Sequence, residues 1–454
     1  MFGWIEKRTQ QFCFLIALLC ALPMVLLTPP FQVPDEPQHF YRAYQVSEGS
    51  LMASVENGIA GSQLPSSLID LSSLYLKSRS IHAQRDVSSI SWSDITHGLA
   101  IPLAPDRREF IDYSGSAFYS PIPYLPQAIS ISAGRACGLA PLALLYLGRL
   151  TNALVAVLLL SMAVRITPVC KPGFLLAAML PMSVYLYASL SADALILASS
   201  FLFTALALDA CWKKAWATKR LWLALGCAVV FCSVKVVYAP LLLIAAPVAL
   251  TAARRSRAVL IQVLLIIVPL VITFAWLYAA SNLVVAVRPG TGVGAQLQHV
   301  LAHPILFAKA LVHGFVWNGF YYRMLVGMFG WLTVPLPTIG YVLPLIGLIM
   351  AGTSFSTQRP PWFSSIWWAT IVAGCITLVM LALYLYWTVI GNEVVEGVQG
   401  RYFIPILPLA AVATSSGLHA CGIRVPGAYA LAAVAVLACI EAGISYSTLL
   451  HAFW

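Results

Sequence analysis

Two adjacent carboxylates, Asp35 and Glu36, open the segment PDEPQHFYRAYQVSEG and follow directly on an apolar run from Phe12 to Thr28. A carboxylate at a membrane surface can take a proton from a hydroxyl nucleophile or help to hold a cation. If the chain turns helical at Pro37, then Asp35, Gln38, His39 and Arg42 share one stripe, while Phe40 and Tyr44 point elsewhere. One helix face then carries an acid, an imidazole and a cation. A local explanation competes, because Asp35 followed by Gln38 has the form of a capping box and Pro37 suits a first helical turn. Capping by Asp35 would still leave Glu36 available as a base.

Three further charged positions could serve the same chemistry. Asp193, in SLSADAL, starts an apolar helix, where it either caps the helix or meets substrate. Lys235, in SVKVVYAP, interrupts a continuous apolar stretch, and such a cation either snorkels or finds an anion such as a phosphate. Arg401, in GVQGRYFIPILP, offers a planar fork for phosphate, with Gln399 and Tyr402 as neighbours that could touch substrate. The plainer reading of Arg401 is a salt bridge to Glu393 or Glu396. His82, His97, His299, His303 and His313 show no metal-binding spacing, so no metal site is expected from them.

The elements that must position these groups are membrane helices. The composition is 60% hydrophobic and 9% charged, and the mean hydropathy is +0.86. A chain of this kind has lipid as its main solvent. The net charge of +10 is spread over short clusters between apolar runs, such as Lys213, Lys214, Lys219 and Arg220, then Arg254, Arg255 and Arg257. Such clusters mark topology and not nucleic-acid binding. Cysteines such as Cys13, Cys20, Cys227, Cys232, Cys375 and Cys439 fall in apolar spans and read as small core residues.

Apolar length and flanking charge predict an all-α polytopic membrane protein with about eleven spans, near 11–28, 139–163, 173–190, 194–211, 221–235, 237–252, 259–283, 336–352, 362–388, 403–420 and 427–447. The first span reads as a retained anchor. Lys7 and Arg8 place the N-terminus in the cytoplasm, and residues 1–454 form a single membrane domain. Two long external loops follow from this topology, at 29–139 and 284–335. The first is expected to hold an amphipathic opening helix, a Ser-rich polar stretch from Ser47 to Ser93, and a surface-lying run YSPIPYLPQ. The second carries an interfacial helix over Val293–Trp317. The aromatics of FGWLTVPLP (Phe329–Pro337) read as an interfacial belt.

With its long first external loop, the acid pair after span one and a late external Arg, the chain resembles the GT-C superfamily of membrane glycosyltransferases. PDEPQHFYRAYQVSEG and GVQGRYFIPILP more narrowly resemble a bacterial family of predicted membrane proteins known only as a domain of unknown function. PMSVYLYASLSADAL, SVKVVYAPL and FGWLTVPLP extend that likeness along most of the chain. Thr333 departs from it, standing where many relatives would carry an Asp after Gly-Trp-Leu.

The superfamily resemblance implies transfer of a sugar from a polyprenyl-phosphate donor to a glycan or lipid acceptor, on the periplasmic side of the bacterial inner membrane. Asp35 or Glu36 would be the catalytic base. Arg401, Lys235 and Arg42 would hold the donor phosphate, and His39, Asp193, Tyr402 and Gln399 would contact substrate. No cofactor is required, although a divalent cation (Mg or Mn) held by Asp35, Glu36 or Asp193 would serve the phosphate. Two other classes fit the residues. An O-antigen-type polymerase or ligase would rely on Arg288, Arg323 and His299, whereas a lipid-linked sugar transporter or flippase would use the acid pair to couple protons. Against transport stand the absence of visible repeat symmetry and of unpaired acids deep in the spans.

Overall fold

The computed structural model describes residues 8–77, 89–251, 253, 255–285, 290–317, 320–352, 354–355, 362–418 and 425–454. Lys7, His82, Arg254 and Arg288 lie outside the described residues.

Helix α1 (Thr9–Leu27) is apolar along its length and tolerates Pro23 within it. After a short turn comes α2 (Glu36–Ser47), with Pro37 in its first turn as the sequence predicts. This helix is amphipathic in its residue pattern but does not lie at a surface. Glu36, Phe40, Tyr41, Arg42 and Tyr44 are all fully buried, so protein surrounds it on every side.

A small antiparallel sheet follows, which the all-α expectation did not include. Strands β1 (Ser54–Glu56) and β2 (Ile59–Pro65) form a hairpin, and β3 (Arg108–Asp112) pairs with β2 so that Gly61 faces Asp112. The hairpin turns on Asn57 and Gly58, both at positive φ (51° and 78°). Two such residues in a row give the twist that joins right-handed strands. Helices α3 (Ser66–Leu76) and α4 (Trp92–Ala100) lie between β2 and β3 in the chain, and α5 (Ser114–Ala117) and α6 (Leu125–Ala136) come after. The described residues of 29–139 thus form a folded cap, and the run YSPIPYLPQ within it is not a surface segment, since Tyr124 and Gln127 are fully buried.

The remaining elements in chain order are α7 (Pro141–Ile166), α8 (Lys171–Met179), α9 (Pro181–Tyr187), α10 (Asp193–Lys213), α11 (Thr218–Cys232), α12 (Ala246–Thr251) and α13 (Arg255–Ala279). Then come α14 (Val293–Ala302), α15 (Pro304–Trp317), α16 (Phe320–Val326), the strand pair β4 (Met328–Phe329) and β5 (Val334–Pro335), and α17 (Thr338–Gly352). The last are β6 (Ser354–Phe355), α18 (Trp362–Tyr386), α19 (Leu407–Leu418), β7 (Val425–Pro426) and α20 (Gly427–Phe453). The interfacial helix expected over 293–317 is two helices, divided where Pro304 disfavours helical backbone at His303. Phe329 is buried, and Trp331 donates to the Phe31 carbonyl at 3.1 Å, so FGWLTVPLP packs inward instead of forming a belt.

Six described helices are long and apolar enough to cross a membrane: α1, α7, α10, α13, α18 and α20. The five other expected spans are shorter or broken. Pro181 separates α8 from α9, and α11 and α17 have 15 residues each, about 22 Å of helix against a hydrocarbon core of about 30 Å. The stretches at 237–252 and 403–420 begin as 3-10 turns, Val236–Leu243 and Gly400–Ile406, each containing a proline. Helix α10 is buried almost all round and packs against α7 and α11, which makes it the central post. Among the cysteines above, Cys13, Cys20, Cys227, Cys232 and Cys375 are buried and Cys439 is exposed.

Candidate functional site

Backbone at membrane depth leaves the helical path only where protein or a cavity satisfies it. Two breaks in the helical path meet at one place here. The turn after α11 delivers Lys235, the 3-10 turn before α19 delivers Arg401, and the N-terminal ends of α2 and α10 deliver Asp35 and Asp193. These four charged groups, with His39 and Tyr402, line one cavity of about 300 Å³. Phe118, Tyr119, Val236, Val379, Leu383 and Tyr386 make its apolar wall.

The charges are arranged as two ion pairs. Arg401 Nη2 donates to Asp35 Oδ2 at 2.9 Å, and Lys235 Nζ donates to Asp193 Oδ1. Their exposures differ. The side chain of Asp35 is 45% exposed, whereas Arg401 is at 4% and the Lys235–Asp193 pair at 17% and 13%. Asp35 is therefore the carboxylate in the open cavity, while Arg401 is a fixed cation behind it. Arg401 Nε donates to Gln399 Oε1 at 2.6 Å, which orients the guanidinium. The Tyr402 ring lies under both cations, 5.1 Å from Lys235 Nζ and 5.4 Å from Arg401 Cζ.

Asp35 is not a cap. Its backbone is left-handed (φ 66°), and its side chain makes no capping hydrogen bond. A non-glycine residue in that region carries strain, held by the surrounding structure. Asp193 likewise does not cap α10; its own backbone N–H donates to Ser191 Oγ at 3.1 Å.

His39 Nδ1 is 2.7 Å from the Tyr124 hydroxyl. Burial holds its pKa below the ordinary histidine value, with Asp35 and Asp193 pulling the other way. A neutral imidazole is thus presented to the cavity. Burial also raises the Tyr119 phenol well above its usual range, so that it remains a protonated donor.

Three of the residues expected in the site stand outside the cavity lining. Gln399 touches Arg401 and supports it from behind. Glu36 is fully buried, and both its oxygens are occupied. Arg149 Nε and Nη2 donate to Oε1 and Oε2 at 2.8 and 2.6 Å, and the backbone N–H groups of Leu190 and Phe31 donate to the same oxygens at 3.0 Å. A carboxylate satisfied four times over has no acceptor left for a substrate proton, so of the acid pair only Asp35 is placed for chemistry. Arg42 is buried too and spends its fork on the carbonyls of Leu51 and Tyr119 (2.8 and 2.9 Å) and on Gln45. It braces the cap instead of facing phosphate.

Arg149 was missed in the sequence, although a cation inside the apolar run LGRLTNAL carries the same signal that singled out Lys235. Tyr119 and Tyr124 were missed because their role depends on the cap folding over α2. Glu441 was also missed. It lies midway along α20, 2% exposed, and its Oε1 has no hydrogen-bond partner among the described residues. The spans therefore do contain a deeply buried acid. Arg323 stacks against Phe320 and Tyr341, and neither it nor His299 lines the cavity.

A mostly helical polytopic membrane protein, with a folded cap closing over a cavity that holds two ion pairs, is the class these features define. Residues 17–410 match the family model described as a predicted membrane protein (DUF2142), and the chain belongs to that family. No curated protein and no solved structure matches it.

Proposed function

We propose that this protein is a membrane glycosyltransferase of GT-C type. It would move a sugar from a polyprenyl-phosphate donor to a cell-envelope glycan or lipid acceptor on the periplasmic side, with the N-terminus in the cytoplasm. The observation that carries the reading is the meeting, in one cavity, of a half-exposed carboxylate, two fixed cations and an apolar wall. That combination suits a substrate with a hydroxyl nucleophile, an anionic leaving group and a hydrocarbon tail.

The donor phosphate takes up hydrogen bonds from Arg401 and Lys235 and competes with Asp35 for Arg401. The freed Asp35 carboxylate accepts the acceptor's hydroxyl proton as its oxygen bonds to the anomeric carbon. The anomeric bond to phosphate oxygen breaks, and the electron pair leaves on a phosphate that the two cations stabilise. His39, Tyr119 and Tyr402 contact the sugar, and the wall of Val236, Val379 and Leu383 receives the first units of the tail. The carboxylates of the cavity are each paired with a cation. No group of three or more His, Cys, Asp or Glu able to hold a metal occurs among the described residues. No step above runs through a divalent cation.

The test is the surface-glycan profile, by mass spectrometry, of a deletion strain carrying the wild-type gene or Asp35→Asn at matched membrane levels. Loss of one sugar substituent in the variant is expected; an unchanged profile overturns the reading. Glu441 is the one observation that favours transport instead, and ion-gradient-driven uptake of lipid-linked sugar by purified protein in liposomes would establish it.

A further inference from the structure

At the far end of α10 from Asp193, a second cavity of about 310 Å³ is lined by Lys214, Trp216, Val248, Arg257, Ala258 and Ile261, among others. Helix α10 has 21 residues, so the two cavities are separated by about 31 Å, close to one hydrocarbon thickness. The second therefore opens at the opposite membrane face.

Its two cations come from different elements. Lys214 follows α10 in a left-handed conformation (φ 52°), and Arg257 lies in the first turn of α13. The nearby acid does not neutralise them. Asp209 is already paired with Lys213, at 2.9 Å, and with Arg220. Neither Lys214 nor Arg257 has a carboxylate partner among the described residues. The same lining includes the Trp216 indole, which favours the headgroup level of a bilayer, and the aliphatic groups of Val248, Ala258 and Ile261, which suit the upper part of an acyl chain.

We propose that this cavity binds the phosphate headgroup of an anionic phospholipid in the membrane leaflet opposite the charged cavity. Lys214 and Arg257 flank the phosphate, and Trp216 packs on the glycerol region. Two cations with a nearby apolar floor distinguish a lipid anion from a zwitterionic lipid, whose own ammonium offsets its phosphate. The site is independent of the glycosyltransferase reading.

The experiment is native mass spectrometry of the delipidated full chain in detergent, titrated with phosphatidylglycerol or phosphatidylcholine. The test variant combines Lys214→Asn, which tolerates left-handed backbone, with Arg257→Gln. A charge-matched control combines Lys219→Gln with Arg255→Gln, which lie outside the lining. Wild type and control are expected to retain one phosphatidylglycerol that the test variant binds on the order of tenfold more weakly, with no such difference for phosphatidylcholine. Equal retention by the test variant overturns the proposal, as does an equal loss in the control, which would mean diffuse attraction to a basic surface. Displacement of the bound lipid by millimolar inorganic phosphate also overturns it, by assigning the site to a soluble anion.

Discussion

Glu36 and Arg149 form a fully buried, two-pronged ion pair that joins the start of α2 to the third turn of α7. The same guanidinium donates to the carbonyls of Val25, Thr28 and Pro29 at 3.2, 2.6 and 2.9 Å. It thereby satisfies carbonyls at and just beyond the end of α1, where Trp454 Nε1 also donates to the Leu27 carbonyl at 2.9 Å. The pair holds the turn that carries Asp35, so the two neighbouring acids divide their work: one anchors and the other faces the cavity.

Removing one partner of that pair strands a buried charge. Arg149→Ala or Glu36→Gln is expected to destabilise the protein by about 3–5 kcal/mol, whereas Arg149→Met with Glu36→Leu recovers part of the loss. Thermal unfolding in detergent, with membrane-inserted protein quantified by immunoblot, checks this.

Asp35→Asn should cost less stability than those changes. It removes the carboxylate that faces the buried Arg401 guanidinium, but the side chain is half exposed and the amide oxygen can still accept from Arg401, so the melting temperature falls only modestly. Transfer falls by a factor of about 100 to 10,000, the usual contribution of a positioned base. Sugar transfer from radiolabelled donor in isolated membranes, set beside a melting curve, reads both quantities.

Arg401→Lys keeps the charge and discards the fork, and is expected to raise the apparent KM for donor about tenfold or more. Lys235→Met alone leaves Asp193 unpaired in a buried site and lowers stability. Adding Asp193→Asn restores the melting temperature without restoring donor use. Donor-concentration dependence of transfer in the three variants separates the roles.

Gly400 has no room for a methyl group. A Cβ there would sit 2.2 Å from the Tyr321 carbonyl oxygen and 2.4 Å from the Leu325 nitrogen, both backbone atoms that cannot swing away. Gly400→Ala is expected to cost about 1–3 kcal/mol and to displace Arg401, lowering donor affinity more than stability alone explains. Melting and transfer assays on the same preparation test it.

His39 predicts a pH dependence of stability. Its folded pKa is depressed by burial, so the unfolded chain binds a proton that the native state refuses. The contribution of the neutral ring is full above about pH 6.5, the unfolded value, and declines as pH falls below it. Melting temperature measured from pH 8 to pH 5 should drop on the acid side in wild type, and drop less in His39→Gln.

Membrane class and most of the candidate chemistry could be read from sequence, because both rest on local signals: long apolar runs, and charges placed where lipid makes them expensive. Asp35, His39, Asp193, Lys235, Arg401 and Tyr402 were all visible in this way, and the structure collects them around one cavity. The Asn57–Gly58 hairpin turn and Arg149 carry local signals of the same kind. What tertiary structure alone decided was which charge meets which. Asp35 pairs with Arg401 across 366 residues, and Glu36 with Arg149 across 113. No spacing rule reaches that far, because those partners are set by how α1, α7 and the broken segments pack around α10. The same packing separates the roles of Asp35 and Glu36, adjacent residues of like charge that differ only in what surrounds them.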